Sequence, residues 1–177
     1  MKERGTYLVG TDFPASRLGE ARYRSNIERN KRAYAKGVPM AFGSDTVYYE
    51  EGRTRGEQTL DFLDSYVDAD FPNDHILRMA TMYAADLLGA NTGEIRTGKN
   101  ADMIAMPSNP LDDIHALRGV TFVMKDGRVY KSGGQFVWDT PRILNNPRRK
   151  QRQHLWQWAC GHVGRDDATR PRQRLWH

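Results

Sequence analysis

Lys36-Gly37-Val38-Pro39-Met40-Ala41-Phe42-Gly43-Ser44-Asp45 changes character twice within ten residues. Gly37 closes a long polar stretch that reads as a helix, and Val38–Phe42 is short and almost continuously apolar, the texture of a strand buried on both faces in a parallel sheet. Gly43-Ser44-Asp45 then turns the chain back into polar sequence and leaves a carboxylate just past the strand end. Upstream, Tyr7-Leu8-Val9-Gly10-Thr11 is a second β-prone run, stopped by Asp12-Phe13-Pro14. Between the two runs, Ser25 and Glu28 have the spacing of a capping box, and Ile27 and Tyr34 lie seven apart on one helical face. Strand, helix and strand make a βαβ unit.

Downstream, Leu60, Phe62, Leu63 and Val67 predict a helix, and a clearer one begins near Asn73. Its residues Ile76, Leu77, Ala80, Tyr83, Ala84, Leu87 and Leu88 recur at helical spacing up to a stop at Gly89. From Ala101 the pattern becomes β-like. Met103–Met106 reads as a strand, Asn109-Pro110 as the start of a short helix, and residues 120–131 as an antiparallel hairpin turning at Asp126-Gly127.

The chain has 177 residues, with 27 Lys and Arg against 22 Asp and Glu, a net charge of +5. The excess is local: residues 142–177 carry +7, and residues 1–141 carry −2. Mean hydropathy is −0.76. No apolar run reaches the roughly 18 residues of a membrane span, so an integral membrane role is excluded for helices of this sequence. Cys160 is single, which excludes an intramolecular disulfide. The residues after Met1 lack a signal-peptide plan, leaving the cytoplasm as the default compartment.

Three segments together resemble the C-terminal third of the amidohydrolase superfamily, in its imidazolonepropionase-like and prolidase-like branch. They are Lys36–Asp45, Met79–Gly89, and the run from Gly93 through Ile104 with Asn109–Ile114 and Val123–Tyr130. The resemblance implies an α/β fold: the last strands and helices of a (β/α)₈ TIM barrel, followed by part of a small composite β-sandwich. Residues 1–90 would be barrel, 91–138 the returning strands of the sandwich, and 139–177 a basic, disordered tail.

It also implies hydrolysis of a carbon–nitrogen bond in a small amide, cyclic amide or dipeptide, by water activated on a divalent metal. Zinc is the first expectation, with iron or manganese as alternatives. Asp45 matches the family's last-strand aspartate, a metal ligand and proton acceptor. The tripeptide alone would be read as a strand-ending turn; the flanking segments favour the catalytic reading. Arg55, in the loop after Asp45, is a candidate for holding a substrate carboxylate, and Asp12, past the first strand, for positioning substrate. A solvated loop charge is the plainer reading of Arg55.

The family's histidine ligands have no counterpart here. Only 44 residues precede Asp45, whereas a barrel takes about 250, so the expectation is a piece of an enzyme that is inactive alone and needs a complementary chain or a homo-oligomer. The five histidines read as incidental surface residues, and Asp102, Asp112, Asp113 and Asp126 as turn and cap acceptors. The rival reading is a nucleic-acid or acidic-partner module, with Arg148-Arg149-Lys150 and Arg152 on phosphates and Trp156 and Trp158 on bases. No recognised binding fold surrounds that stretch, so nucleic acid is the weaker expectation.

Overall fold

The computed structural model describes residues 4–137. The expectations for the basic tail, including Trp156, Trp158 and the nucleic-acid reading, lie outside the described residues. Leu8–Gly10 (β1) and Met40–Phe42 (β2) pair in parallel, with Leu8 opposite Met40 and Gly10 opposite Phe42. Ala15–Leu18 (α1) and Glu20–Ala35 (α2) make the crossover between them. Met40 and Ala41 are adjacent, point to opposite faces, and are both buried. The continuous apolar run therefore has the cause inferred for it.

The crossover helix begins earlier than its capping-box signature suggests. Gly19, at φ 77°, separates α1 from α2, and Ser25 and Glu28 lie inside α2. Its inward face is Tyr23, Ile27, Asn30 and Tyr34: Tyr23 and Asn30 are buried, Ile27 packs on the core, and Tyr34 stacks on Phe71 at 4.5 Å. Asn30 interrupts the apolar stripe, so the pattern of hydrophobic residues understates the helix.

Arg55–Leu60 (α3), a 3₁₀ turn over Asp61–Leu63, and Asp64–Val67 (α4) follow β2. The long helix expected from Asn73 to Leu88 is two, Asn73–Ala80 (α5) and Met82–Leu88 (α6). The break is Thr81, at φ −124° and ψ −85°. Its hydroxyl donates to the Leu77 carbonyl at 2.6 Å, a bond of the kind that bends helices. A side-chain-free Gly93 packs against the kink, where a Cβ would meet the Thr81 carbonyl oxygen at 2.8 Å. Apolar spacing survives such a kink, which is why periodicity alone reads through it. Gly89 ends α6 in the left-handed conformation, as expected.

Met40, Leu63, Tyr66, Ala69, Phe71, Ile76, Met79 and Ile114 form one core cluster beside β2. Burying a side chain such as Ile76 or Met79 contributes about 1.5–3 kcal/mol, so the helices packed beside Met40 help hold β2 in place.

Met103–Ala105 (β3), Phe122–Lys125 (β4), Arg128–Ser132 (β5) and Gln135–Phe136 (β6) form an antiparallel sheet in sequence order. Asp126 and Gly127, at φ 50° and 72°, make the expected tight turn. Gly133 and Gly134 make a second one that adds β6 beyond the predicted hairpin. Asn109-Pro110 opens a turn rather than a helix, with the Asn109 side chain accepting from the Leu111 N–H at 3.1 Å. The helical element there is a 3₁₀ segment, Ile114–Gly119, capped by Asp113, which accepts from the His115 N–H at 2.9 Å. Asp102 likewise accepts from the Asp126 N–H at 2.7 Å. Among the described residues no helix is long and apolar enough to cross a membrane.

Candidate active site

The carboxyl ends of β1 and β2 bring two short segments to one rim of the parallel pair, one carrying Asp12 and the other Asp45. Sites on parallel sheets are built at that rim. Asp12 is buried, at 2% exposure. One carboxylate oxygen accepts from the Arg29 guanidinium and the other from Asn30 Nδ2 at 2.8 Å. The buried Tyr66 hydroxyl lies near this carboxylate without a hydrogen-bond partner among the described residues. Burial and the Asp12 charge push its pKa up, which keeps it a neutral phenol. Gly10 makes room for both groups: a Cβ there would stand 2.6 Å from Asp12 Oδ2 and 2.8 Å from the Tyr66 hydroxyl.

Asp45 has the opposite surroundings. It is exposed, sits at φ 47°, and has no hydrogen-bond or ion-pair partner among the described residues. Asp70 and Asp126 share the left-handed conformation at ordinary turns, so the dihedral alone does not mark chemistry. Gly43 lets the chain leave β2 beside β1, because a Cβ there would fall 2.6 Å from Val9 Cγ1.

The residues after Asp45 are held from below. Thr46 is buried and shares a hydrogen bond of 3.1 Å with Thr59. Gln58, also buried, donates to the Tyr48 carbonyl at 3.2 Å and accepts from the Glu50 N–H at 2.9 Å, in the amide orientation that satisfies both. Phe13 and Arg17 pack on the Tyr48 ring, and Arg17 pairs with Glu50 at 3.3 Å. Arg53 forks onto Asp61 at 2.7 and 2.9 Å. Asp61 is partly buried, which opposes its ionisation, yet its bonds from Arg53 and Arg118 hold it below the usual carboxylate range. Thr54 and Glu57 form a reciprocal capping box at the start of α3.

Arg55 is the first residue of α3, exposed, with no ion-pair partner among the described residues, in contrast to Arg53. Gln58, Thr46 and Thr59 were missed by sequence reading. Neutral polar side chains such as Gln58 and Thr59, the fourth and fifth residues of α3, carry no signal of which loop they will clamp.

Two histidines are not incidental. His75 packs edge-on against Tyr34, Phe71 and Tyr83, and its Nε2 is buried without a partner among the described residues; burial lowers its pKa. His115 bridges Asp64 at 3.1 Å and Asp113 at 2.9 Å, which raises its pKa. Neither joins Asp45 in a ligand set. Among the described residues no group of three His, Cys, Asp or Glu side chains could hold a metal ion. These residues therefore do not by themselves make up a metal site.

A short parallel pair with a carboxylate past its second strand, a helical layer and the start of an antiparallel sheet are the elements on which the family match falls. The chain belongs to the amidohydrolase family, whose sequence model matches residues 1–130. It is 29% identical over 120 residues to the ochratoxinase of Aspergillus niger, covering 64% of this chain and 24% of that protein. The crystal structure of A. niger ochratoxinase superposes with a TM-score of 0.63 at 26% identity, covering 83% of this chain and 36% of the other. A Xaa-Pro dipeptidase crystallised with methionine in its active site superposes at a TM-score of 0.53 and 34% identity, covering 60% of this chain and 25% of the other. The chain thus spans about a quarter of the length of the curated relatives it matches.

Proposed function

We propose that this chain carries the last-strand aspartate of an amidohydrolase acting on a carbon–nitrogen bond in a small amide or dipeptide. The proposal makes β1 and β2 the seventh and eighth strands of the (β/α)₈ barrel and β3–β6 the returning strands of its small sandwich. The observation that carries it is the contrast at the rim: Asp12 is buried and paired, while Asp45 stands exposed and unpartnered. A carboxylate kept exposed above a buried strand is available to a ligand, whereas one locked by a guanidinium is not.

Asp45 is then one metal ligand and the acceptor of a proton from the attacking water. A divalent metal bound there, zinc by preference, supplies a water of lowered pKa. The remaining ligands come from outside the described residues, on a complementary polypeptide. Arg55 faces solvent at the start of α3 and is assigned to a substrate carboxylate. Asp12 acts on substrate only indirectly, by fixing the segment after β1. The isolated 177-residue chain is accordingly inactive.

The test supplies the chain with a polypeptide bearing the missing histidine ligands and assays a panel of N-acyl amino acids and dipeptides with zinc or manganese. Hydrolysis that depends on both components and falls at least about 10²-fold in Asp45→Asn is expected. Stoichiometric metal binding and turnover by the 177-residue chain alone would refute the reading.

A further inference from the structure

Both ring nitrogens of His115 face carboxylate oxygens, Nε2 that of Asp64 at 3.1 Å and Nδ1 that of Asp113 at 2.9 Å. An ionised carboxylate only accepts hydrogen bonds and a neutral imidazole has one N–H, so both contacts are satisfied together only in the doubly protonated ring. When one proton leaves, one contact must open. Asp113 is the fixed partner, because the same oxygen also caps the 3₁₀ segment by accepting from the His115 backbone N–H at 2.9 Å. The contact that opens is the one to Asp64 of α4.

The Asp64 oxygen has a second suitor. Arg118 has one guanidinium nitrogen 3.8 Å from it and another 2.9 Å from Asp61 Oδ1. The same Asp61 oxygen accepts from Arg53 at 2.9 Å, and Arg53 reaches back to Glu50 at 3.4 Å. Asp61 is the least exposed link, at 16%, so the competition on its oxygen is screened less than a surface pair. A line of charges thus runs from the 3₁₀ segment to the residues that back Asp45. The other charged groups on the neighbouring elements are engaged elsewhere or face solvent. Asp68, at the end of α4, accepts from the Tyr23 hydroxyl at 2.8 Å, and Asp74 and Arg78 of α5 pair at 3.6 Å. On α3, Glu57 is held in its cap by Thr54, and Arg55 is exposed.

We propose that His115 and Arg118 form a proton-driven relay that sets the hold of Arg53 on Glu50, and through it the segment that carries Asp45. In the charged state His115 occupies Asp64 and leaves Arg118 on Asp61. In the neutral state Arg118 closes onto the vacated Asp64 oxygen, Arg53 takes Asp61 alone, and its longer contact to Glu50 is given up. The proton passes to solvent, which reaches the ring at 40% exposure. The hydrogen bonds from Asp64 and Asp113 raise the ring's pKa above the ordinary 6.5, which places the exchange above that value. Under the proposed function the relay is regulation of the site by pH. It rests on that reading only for this consequence, since the rearrangement involves neither Asp45 nor a metal.

The test follows the 177-residue chain, labelled with ¹⁵N and ¹³C, by NMR from pH 6 to pH 8, reading the His115 ring and the amides of Glu50 and Arg53. The two amides are expected to shift with the midpoint of the His115 ring. In His115→Gln, whose side chain is neutral throughout, they are expected to stand at pH 6 where the unmodified chain has them at pH 8, and to stay there. In Arg118→Gln the His115 ring still titrates, and Glu50 and Arg53 no longer follow it. The titration of the unmodified chain decides even where a variant fails to fold. Amides of Glu50 and Arg53 that stay still, or that move with another midpoint, overturn the relay, as does a response that survives in either variant. Loss of the catalytic reading of Asp45 changes none of these outcomes, so the two readings fail separately.

Discussion

The segments after β1 and β2 begin alike, each leaving a parallel strand at the same rim and each delivering an aspartate within three residues. They end as opposites. In the first, the carboxylate turns inward, to Arg29 and Asn30 of the crossover helix, and serves as the fastener. In the second, the fastening is done by Thr46, Gln58 and Arg53, and the carboxylate is left free. The difference teaches that an aspartate past a parallel strand is available for chemistry only when other groups take over the work of holding its loop.

The largest test of that contrast is Asp12→Ala. It strands the Arg29 guanidinium and Asn30 amide and should cost about 2–3 kcal/mol in urea denaturation, less than a fully buried pair because Arg29 is still 39% exposed. A loss under half a kcal/mol would break the comparison. Next is Gly10→Ala, whose added methyl group presses on Asp12 Oδ2 and the Tyr66 hydroxyl. An overpacking cost of about 1–2 kcal/mol is expected by the same measurement.

A smaller effect probes the ionic side of the second segment's anchoring, which runs from Glu50 and Arg53 through Asp61 and Arg118 to Asp64 and His115. Asp64 and Asp113 raise the His115 pKa, so the fold favours its charged form. Its stabilisation is complete below the unfolded value of 6.5 and is lost as pH rises through the folded value. The pair is solvent-screened, with His115 40% exposed, so the fall should be only about 0.5 kcal/mol or less. In His115→Gln the denaturation midpoints should lack that fall between pH 6 and pH 8. His75 works in the other direction. Burial lowers its pKa, and its contribution is present above 6.5 and lost as pH falls through the folded value.

The smallest change is the most telling. Asp45→Asn should alter stability by less than about 0.5 kcal/mol, since the carboxylate holds nothing down and asparagine tolerates the same left-handed backbone. A large loss would mean that Asp45 is a fastener like Asp12.

Much of the fold was legible because it rests on local signals. The apolar run Val38–Phe42, Gly37 and Gly89 as helix stops, and Asp126-Gly127 as a hairpin turn each act through their own backbone preferences. The misses share a cause. Ser25 and Glu28 match a cap but lie mid-helix, and the kink at Thr81 leaves apolar spacing untouched. Gly19 sets the helix start, and Thr81 with Gly93 packed against it makes the kink, and neither registers in a cap motif or in apolar spacing.

The site divides the same way. Sequence determined that an aspartate would stand past a buried parallel strand, and the order of segments carried the family. It read Asp45 as a metal ligand and Asp12 as a substrate-positioning residue, without showing which carboxylate is free. Only the tertiary structure separated them, because a carboxylate's availability depends on which donors reach it, and Arg29 and Asn30 reach Asp12 from a helix 17 and 18 residues away. Sequence spacing cannot show which of two neighbouring loops such a helix will face; packing against the core decides it.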